Sequence, residues 1–295
     1  MALPDLDVPQ EEWSDVSLTI RYEDVAQDGR VKLSALPHAL GVACWQALLG
    51  DHPISELSTE DGVVPILSRV HIRAGGGPVS AVAPLRARGA FRLSHTRDAA
   101  GEVERLILEL FARVEGQRGA THGPAPEGAG ATLRVGEIHA EHVFTRPFAP
   151  AGERKLKRLP ERITSTGVPP ARYLWQPPER VRVPPADARL IDPDPQPSPP
   201  IVFGLMHTDA NQHVNSLVYP DLLEQAVLTR LASLGRPTDV LATSVELAYR
   251  KPCFAGDTLE LSTMLYERGD TVGAVAAFEG PGRRGRPHVY ARMEF

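Results

Sequence analysis

One short segment in the second half of the chain concentrates side chains that can do chemistry. It reads Asp209-Ala-Asn211-Gln-His213-Val-Asn215. A histidine titrates near neutral pH and can serve as a general base, and an amide beside it can hold a substrate or a water. Asp209 can orient His213 or Asn211, or it can cap a helix, since Asp and Asn are also ordinary turn and N-cap residues. The segment predicts a catalytic turn, with a plain helix start as the alternative.

The two cysteines, Cys44 and Cys253, have no metal-ligand spacing and make no disulfide framework. Together with an acidic start that lacks an apolar run (residues 1–7), they lead us to expect a cytoplasmic protein with reduced thiols. Cys253 is a candidate nucleophile only if His213 lies within hydrogen-bond reach and lowers its pKa. Otherwise it is a small buried residue.

Composition narrows the class of protein. A chain of 295 residues with a formal net charge of -5 does not suit nucleic-acid binding, which favours a basic surplus. No run of apolar residues approaches the length needed to span a bilayer. The pair His139-Ala-Glu-His142 does not predict a metal, because this spacing on a strand sends the two rings to opposite faces. We therefore expect neither a metal nor a cofactor.

Hydrophobic periodicity outlines the elements that must position these groups. The first half predicts a strand at 16–22, a turn at Asp28-Gly29 and a helix at 35–49 after Ser34. Strands follow at 64–73, 79–94 and 103–115, a loop at 116–130, and one more strand within 132–148.

The second half repeats this order. It predicts a strand at 201–206, the polar turn, a helix at 216–234, and strands at 240–249, 257–267, 271–278 and 288–295. Asn211 to Asn215 fall where this helix begins, so its free N–H groups and positive dipole end can stabilise an oxyanion there. One helix and a run of antiparallel strands, twice, predict an α+β double hotdog, each unit a long helix wrapped by a curved sheet.

The expected domains are a unit at 14–148, a Pro-rich linker or irregular cover at 149–200, and a unit at 201–295. Laid over each other, the two halves match Asp24 with Asp209 and Gln27 with Gln212. Ala26 and Asp28 then replace Asn211 and His213, which indicates a first copy that lost its polar site. Chance similarity of two strand-turn-helix units is the alternative.

The polar segment resembles the active-site segment of acyl-ACP thioesterases, Asp-x-Asn-Gln-His-Val-Asn-Asn followed by a Tyr. Only Ser216 differs here, and Tyr219 is present. Leu247-Ala-Tyr-Arg-Lys-Pro-Cys253 resembles the Leu-Glu-Tyr-Arg-Arg-Glu-Cys strand of that family, and Ile20-Arg-Tyr-Glu23 resembles its N-terminal opening. The resemblance covers about the first 50 residues and the last 100.

The resemblance implies two tandem hotdog units with the site in the second. The residues it assigns to catalysis are Asp209, Asn211, His213 and Cys253. Those it assigns to substrate binding are Asn215, Tyr219 and Arg250. The family's Glu before the Cys is Pro252 here, so a water-positioning carboxylate is missing, and Glu246 and Glu224 are possible substitutes.

Three functions follow from these residues. The first is a thioesterase of fatty acid biosynthesis that acts on an acyl thioester of acyl carrier protein or coenzyme A. The second, motivated by Pro252, is a hotdog dehydratase or acyltransferase on such a thioester. The third is a non-catalytic binder of acyl chains or of the carrier protein. Because two hotdog units already lie in one chain, we expect either a monomer or a homodimer.

Overall fold

A computed structural model describes residues 12–282 and 285–295, except for the side chains of residues 192–197. The acidic start at 1–7 therefore lies outside the described residues. The chain forms two compact units. The first comprises the described residues up to Val31 together with Ala35–Gln176, and the second comprises Lys32–Ser34 with Pro177–Phe295.

The first unit is built on an antiparallel sheet, as predicted. Its strands follow the order β1-β3-β4-β5-β2. They are β1 (Ser14–Leu18), β2 (Val64–Ala74), β3 (Leu85–Arg97), β4 (Val103–Gln117) and β5 (Thr132–Thr145). Alternate side chains of β3 and β4 point to opposite faces, so one face packs on the helical segment of this unit.

The helical segment differs from the expected α-helix at 35–49. A 3-10 turn spans Leu33–Ala35 and a π-helical stretch spans Leu40–Gln46. In this stretch the N–H of Ala47 donates to Val42 O at 3.2 Å, a five-residue step. Pro37 offers no N–H to an α-helix that starts before it. The segment approaches β3 so closely that a Cβ on Gly89 would lie 2.8 Å from Ala43.

Short helices complete the connections of both units. An α-helix, α1, spans Leu57–Glu60. Further 3-10 turns lie at Tyr22–Asp24, Pro53–Glu56, Ala151–Glu153, Pro178–Arg182 and Leu205–His207. Within the part of the chain that the structure describes, no helix is long and apolar enough to cross a membrane.

The second unit pairs one long helix with a second antiparallel sheet, and this prediction is confirmed. Helix α2 spans Val218–Ser233 and buries the side chains of Tyr219, Leu223, Val227 and Leu231, which lie four residues apart. The sheet order is β9-β12-β11-β10-β7. Its strands are β7 (Arg189–Pro197), β9 (Ser244–Tyr249), β10 (Thr258–Arg268), β11 (Thr271–Glu279) and β12 (Val289–Glu294), and β8 (Ile201–Val202) pairs with β10.

The Pro-rich segment at 149–200 covers both units and adds pairing that was not expected. Within it, β6 (Ala171–Arg172) runs parallel to β3, and β7 pairs with the edge of β10. Val181, in the 3-10 turn before β7, is 1% exposed and packs against Ala248, Ala277 and Tyr290. The segment is thus a packed cover, and the domain limits 14–148, 149–200 and 201–295 stay predictions.

Both units open with the same turn, which supports duplication but corrects its register. In the first unit Ala26 N donates to Arg30 O and Gly29 has a φ of +82°. In the second unit Asp209 N donates to His213 O and Gln212 has a φ of +64°. A bridge flanks each turn, Val25 with Val31 and Thr208 with Val214.

The alignment of the two turns by backbone structure is shifted by two residues from the alignment predicted by residue identity. Asp209, Asn211 and His213 correspond to Ala26, Asp28 and Arg30, so Asp24 does not match Asp209. The backbone explains the shift, because the left-handed residue fixes the turn. That residue is Gly29 in one copy and Gln212 in the other, so residue identity hides the correspondence.

Candidate active site

The polar turn is a closed loop anchored to the sheet of the second unit. The N–H of Gln212 donates to Asp209 O at 2.9 Å, and the N–H of Asp209 donates to His213 O at 3.2 Å. The next residue, Val214, donates its N–H to Cys253 O at 2.7 Å, which ties the turn to the loop between β9 and β10. The predicted polar turn is therefore confirmed, and its backbone is fixed at both ends.

Asp209 organises the turn from inside. Its Oδ1 accepts the backbone N–H of Asn211 at 2.9 Å, and its Oδ2 accepts the Asn215 side-chain amide at 3.0 Å. Asn215 Oδ1 in turn accepts the N–H of Leu217 at 2.8 Å. Of the expected roles for Asp209, orienting the Asn211 backbone is the one that the geometry supports. Its hydrogen bonds do not include the His213 imidazole.

Asn211 and His213 project from this frame toward solvent. Asn211 is exposed, and among the described residues its side-chain amide has no hydrogen-bond partner. His213 is half-buried, with Nδ1 3.3 Å from Val214 O. A proton on Nδ1 pointing at that carbonyl leaves the lone pair on Nε2, the form that a general base needs. The turn thus presents one free amide and one basic ring nitrogen.

The long helix starts later than expected relative to these groups. Helix α2 begins at Val218, three residues after Asn215. Asn215 therefore caps the approach to the helix, because its carbonyl also accepts the N–H of Val218 at 3.1 Å. The prediction that Asn211 to Asn215 occupy the helix start is wrong by this margin. Asn211 and His213 belong to the preceding turn.

Cys253 is enclosed and its histidine partner is not the expected one. Its side chain is 0% exposed, and Sγ lies 3.2 Å from His288 Nδ1. Burial raises the pKa of the Cys253 thiol, with a smaller opposing contribution from the hydrogen bond with Tyr219. The condition for a Cys253 nucleophile, a bond with His213, is not met among the hydrogen bonds of the described residues. His288 gave no signal in the sequence, because a lone histidine before a strand fits no motif.

The residues assigned to substrate binding separate in the structure. Tyr219 is 2% exposed and packs in an aromatic cluster with Phe203, Tyr249 and Phe278. Burial raises its pKa well above the ordinary value for tyrosine. Arg250, in contrast, is exposed, and its Nη1 lies 3.6 Å from Glu179 Oε1. Only Asn215 of this set lies within the polar turn.

The candidate substitutes for the missing carboxylate are engaged elsewhere. The carbonyl oxygen of Pro252 lies 3.2 Å from His288 Nδ1. Glu246 on β9 accepts from Arg292 on β12 at 2.5 Å. Glu224 on α2 accepts the N–H of Ala242 at 3.4 Å, and burial raises the pKa of its carboxyl. Both carboxylates therefore already have partners outside the polar turn.

The first unit holds a second concentration of ionisable groups that the sequence did not reveal. Directly opposed positions on adjacent strands carry Arg92, Glu109, Glu141 and Arg69 in one row. Glu109 is 0% exposed and accepts from Arg92 at 2.9 Å and from Ser94 at 2.8 Å.

The two histidines near this row lie on opposite faces of β5, as predicted. His139 stacks on Phe111 with centroids 4.5 Å apart, and its Nε2 lies 3.4 Å from Glu109 Oε1. His142 meets Trp45 edge-on at 5.5 Å on the helical face. No group of three or more His, Cys, Asp or Glu within the described ranges is placed to hold a metal ion.

Comparison with known proteins gives a clear answer for fold and none for sequence family. No protein-family model and no curated protein matches the chain. A putative oleoyl thioesterase from Lactobacillus plantarum is 15% identical and superposes with a TM-score of 0.61, covering 96% of this chain and 94% of its own.

Two further solved structures match over the full length. An acyl-ACP thioesterase from Bacteroides thetaiotaomicron is 18% identical with a TM-score of 0.55, and 97% of each chain is covered. The 12:0-ACP thioesterase from Umbellularia californica is 12% identical with a TM-score of 0.56, covering 95% of this chain and 96% of its own. At such identities the likeness establishes the fold, tandem hotdog units over the whole chain.

Proposed function

We propose that the chain is a hydrolase that cleaves acyl thioesters of acyl carrier protein or coenzyme A. One observation carries the proposal: a hydrogen-bonded turn, closed by Asp209 and Asn215, carries both Asn211, whose side-chain amide has no partner among the described residues, and His213, whose Nδ1 faces the Val214 carbonyl. Three solved proteins that share this fold over their full length are named as thioesterases, two of them for acyl-ACP. Fold and site thus support the same reaction class.

The proposed reaction needs a polarised carbonyl, an activated water and a protonated leaving group. The Asn211 amide donates a hydrogen bond to the thioester oxygen and stabilises the oxyanion as it forms. His213 Nε2 takes a proton from a water whose oxygen attacks the carbonyl carbon. The tetrahedral intermediate then breaks its C–S bond, and the His213 imidazolium returns the proton to the thiolate. The products are a carboxylic acid and a free thiol.

Asp209 acts in this scheme as a positioning residue. It holds Asn211 through the backbone and Asn215 through the side chain. The carbonyl of Val214 supports the His213 tautomer in place of a carboxylate. Cys253 has no step in the scheme, because burial raises its pKa and so keeps the sulfur protonated.

The test is a thiol-release assay on a panel of acyl-carrier-protein and acyl-coenzyme A thioesters. His213→Ala should lower kcat by about a hundredfold or more, the range typical of a lost general base. The matched control is His38→Ala, because His38 is exposed and lies outside the second unit. Equal rates in the two variants, with both folded, would refute the proposal. Loss of water from a 3-hydroxyacyl thioester, seen by mass spectrometry, would establish the dehydratase instead.

The setting of the activity is also a proposal. Both cysteines are free thiols in the structure, which fits the reducing cytoplasm. The place in fatty acid biosynthesis follows from the proposed cleavage of acyl-carrier-protein thioesters. Because each chain already contains two hotdog units, we propose a monomer, with a homodimer as the alternative. Light scattering of the purified protein separates the two states.

A further inference from the structure

An apolar patch borders the candidate turn in the second unit. Four large apolar side chains are 51–89% exposed there, namely Val202, Leu205, Met206 and Phe254. Leu205 and Met206 lie in the 3-10 turn that directly precedes the turn at 208–214. Exposed apolar side chains scattered singly need no explanation, but a group of four at the rim of a site indicates a surface that is covered at some point.

Backbone contacts bring together the two segments that carry these four residues. The N–H of Gly256 donates to Phe203 O at 2.8 Å, and the N–H of Phe203 donates to Asp257 O at 2.9 Å. These bonds bring the segment with Val202, Leu205 and Met206 against the loop that carries Phe254. Val202 also pairs with Thr258 in the two-residue ladder of β8 and β10. We call Val202, Leu205, Met206 and Phe254 the rim patch.

Positive charge adjoins the rim patch. Lys251 and Arg286 are exposed, and among the described residues neither side chain has an ion-pair partner. The N–H groups of Arg250 and Lys251 both donate to His288 O, which places Arg286, two residues earlier, at the same end of the sheet.

The nearby carboxylate oxygens belong to half-buried residues and hold the turns, and they keep their negative charge. Those of Asp209 accept from Asn211 and Asn215, and that of Asp257 accepts from Phe254 N at 2.8 Å. The rim patch therefore offers apolar contact flanked by two exposed cations, which are more accessible to a partner than the half-buried carboxylates.

We propose that the rim patch docks the carrier protein that delivers the acyl thioester, an inference that rests on the proposed function. The partner that such a surface fits is an acidic protein that exposes apolar side chains next to its thioester. Such a partner must place its thioester at Asn211 and His213, so its docking surface has to adjoin the turn, as the rim patch does. A small patch also fits a transient complex that releases product at each turnover. Binding to a bilayer would not require the patch to adjoin the polar turn. The patch also lies on short turns rather than on an amphipathic helix.

The experiment compares one acyl group on two carriers. We would measure kcat/KM for dodecanoyl-acyl carrier protein and for dodecanoyl-N-acetylcysteamine, which lacks the protein. In Leu205→Asp/Met206→Asp, the ratio of the two values should fall at least about tenfold, through KM of the carrier-protein substrate. Phe148→Asp is the matched control, because Phe148 is 94% exposed in the first unit. A ratio equal to that of the control would overturn the proposal.

Binding separates failure of docking from failure of the proposed hydrolysis. Holo-acyl carrier protein, titrated into the protein by NMR, should bind the wild type and the Phe148→Asp control, and should bind Leu205→Asp/Met206→Asp at least about tenfold more weakly. This result would uphold docking even if no thioester were cleaved. Absent carrier-protein binding would reject the patch as a carrier site. Sedimentation with phosphatidylcholine–phosphatidylglycerol vesicles, lost in the double variant, would then assign it to a membrane surface.

Discussion

Cys253 Sγ lies 3.2 Å from His288 Nδ1, a pairing of thiol and imidazole inside the second unit. Such a pair can generate a thiolate when the sulfur is exposed and its surroundings are electropositive. Here the sulfur is fully buried, and that burial raises its pKa. The pairing is therefore structural.

Replacing the thiol should leave hydrolysis largely intact. Cys253→Ala should retain kcat within about threefold of the wild type, because no step of the proposed reaction uses the sulfur. The native protein should also resist alkylation by iodoacetamide at neutral pH, which mass spectrometry reports directly. A loss of kcat as large as that of His213→Ala would contradict this and restore Cys253 as nucleophile.

Asp209 and Asn215 form a directional pair that can be tested by exchange. In Asp209→Asn the new amide faces the Asn215 amide, and Asn215 cannot rotate without losing its bond from Leu217 N. We expect a loss of about 1–2 kcal/mol in the free energy of unfolding, together with lower kcat.

The reciprocal change should repair that loss. Asp209→Asn/Asn215→Asp restores one donor and one acceptor and still leaves an oxygen for the N–H of Leu217. Urea denaturation of both single variants and the double variant gives the coupling energy, expected at about 1 kcal/mol. Strict additivity of the two single losses would show that the observed bonds do not stabilise the turn.

The sequence revealed the fold more fully than the site. Strand and helix periodicity located β2, β4, β10, β11 and α2, because alternating or four-residue burial is written directly in residue type. The helix of the first unit was mispredicted, because a π-helical stretch has no distinct residue pattern. Likewise the register of the duplicated turn depends on a left-handed residue that is Gly29 in one copy and Gln212 in the other.

Long-range partners account for what the sequence could not reveal in the site. Asp209, Asn211 and His213 fall within five positions, so their turn was predictable. The contact between Cys253 and His288 joins residues 35 positions apart and depends on the pairing of β9 with β12. The row Arg92, Glu109, Glu141 and Arg69 needs the registers of four strands at once. Such constellations emerge only when the sheet is assembled.

Glu109 should make the first unit sensitive to acid. Burial alone would raise its pKa, but the hydrogen bonds from Arg92 and the His139 ring 3.4 Å away lower the pKa to about 2 from an ordinary 4.5. Since the folded-state pKa is depressed, the stabilisation is complete above about pH 4.5 and disappears as pH falls toward about 2. The amount is about 3 kcal/mol.

The measurement for Glu109 is urea denaturation across that pH window. Glu109→Gln should lose about 3–5 kcal/mol at neutral pH, because Arg92 keeps its charge without a partner. It should also lose the acid-dependent slope. Glu115→Gln on the same strand is the matched control. The Glu115 side chain is 29% exposed, and its ion pair with Arg86 is long, at 4.0 Å. A slope that persists in Glu109→Gln would assign the acid sensitivity to other groups.

His142 should act in a different pH window, because it is buried as a neutral ring against Trp45. Burial lowers its pKa to about 4 from 6.5, and among the described residues its Nδ1 has no hydrogen-bond partner. Between these two pH values, His142 binds a proton in the unfolded chain but not in the folded chain. The free energy of unfolding therefore falls as pH drops from about 6.5 toward 4, by about 3 kcal/mol in total. His142→Phe keeps an aromatic edge on Trp45 and removes the titration. The urea denaturation midpoints at about pH 7 and pH 5 should therefore differ less in His142→Phe than in the wild type. His38→Phe is the control and should behave like the wild type. Equal differences in all three proteins would show that His142 is not the responsible group.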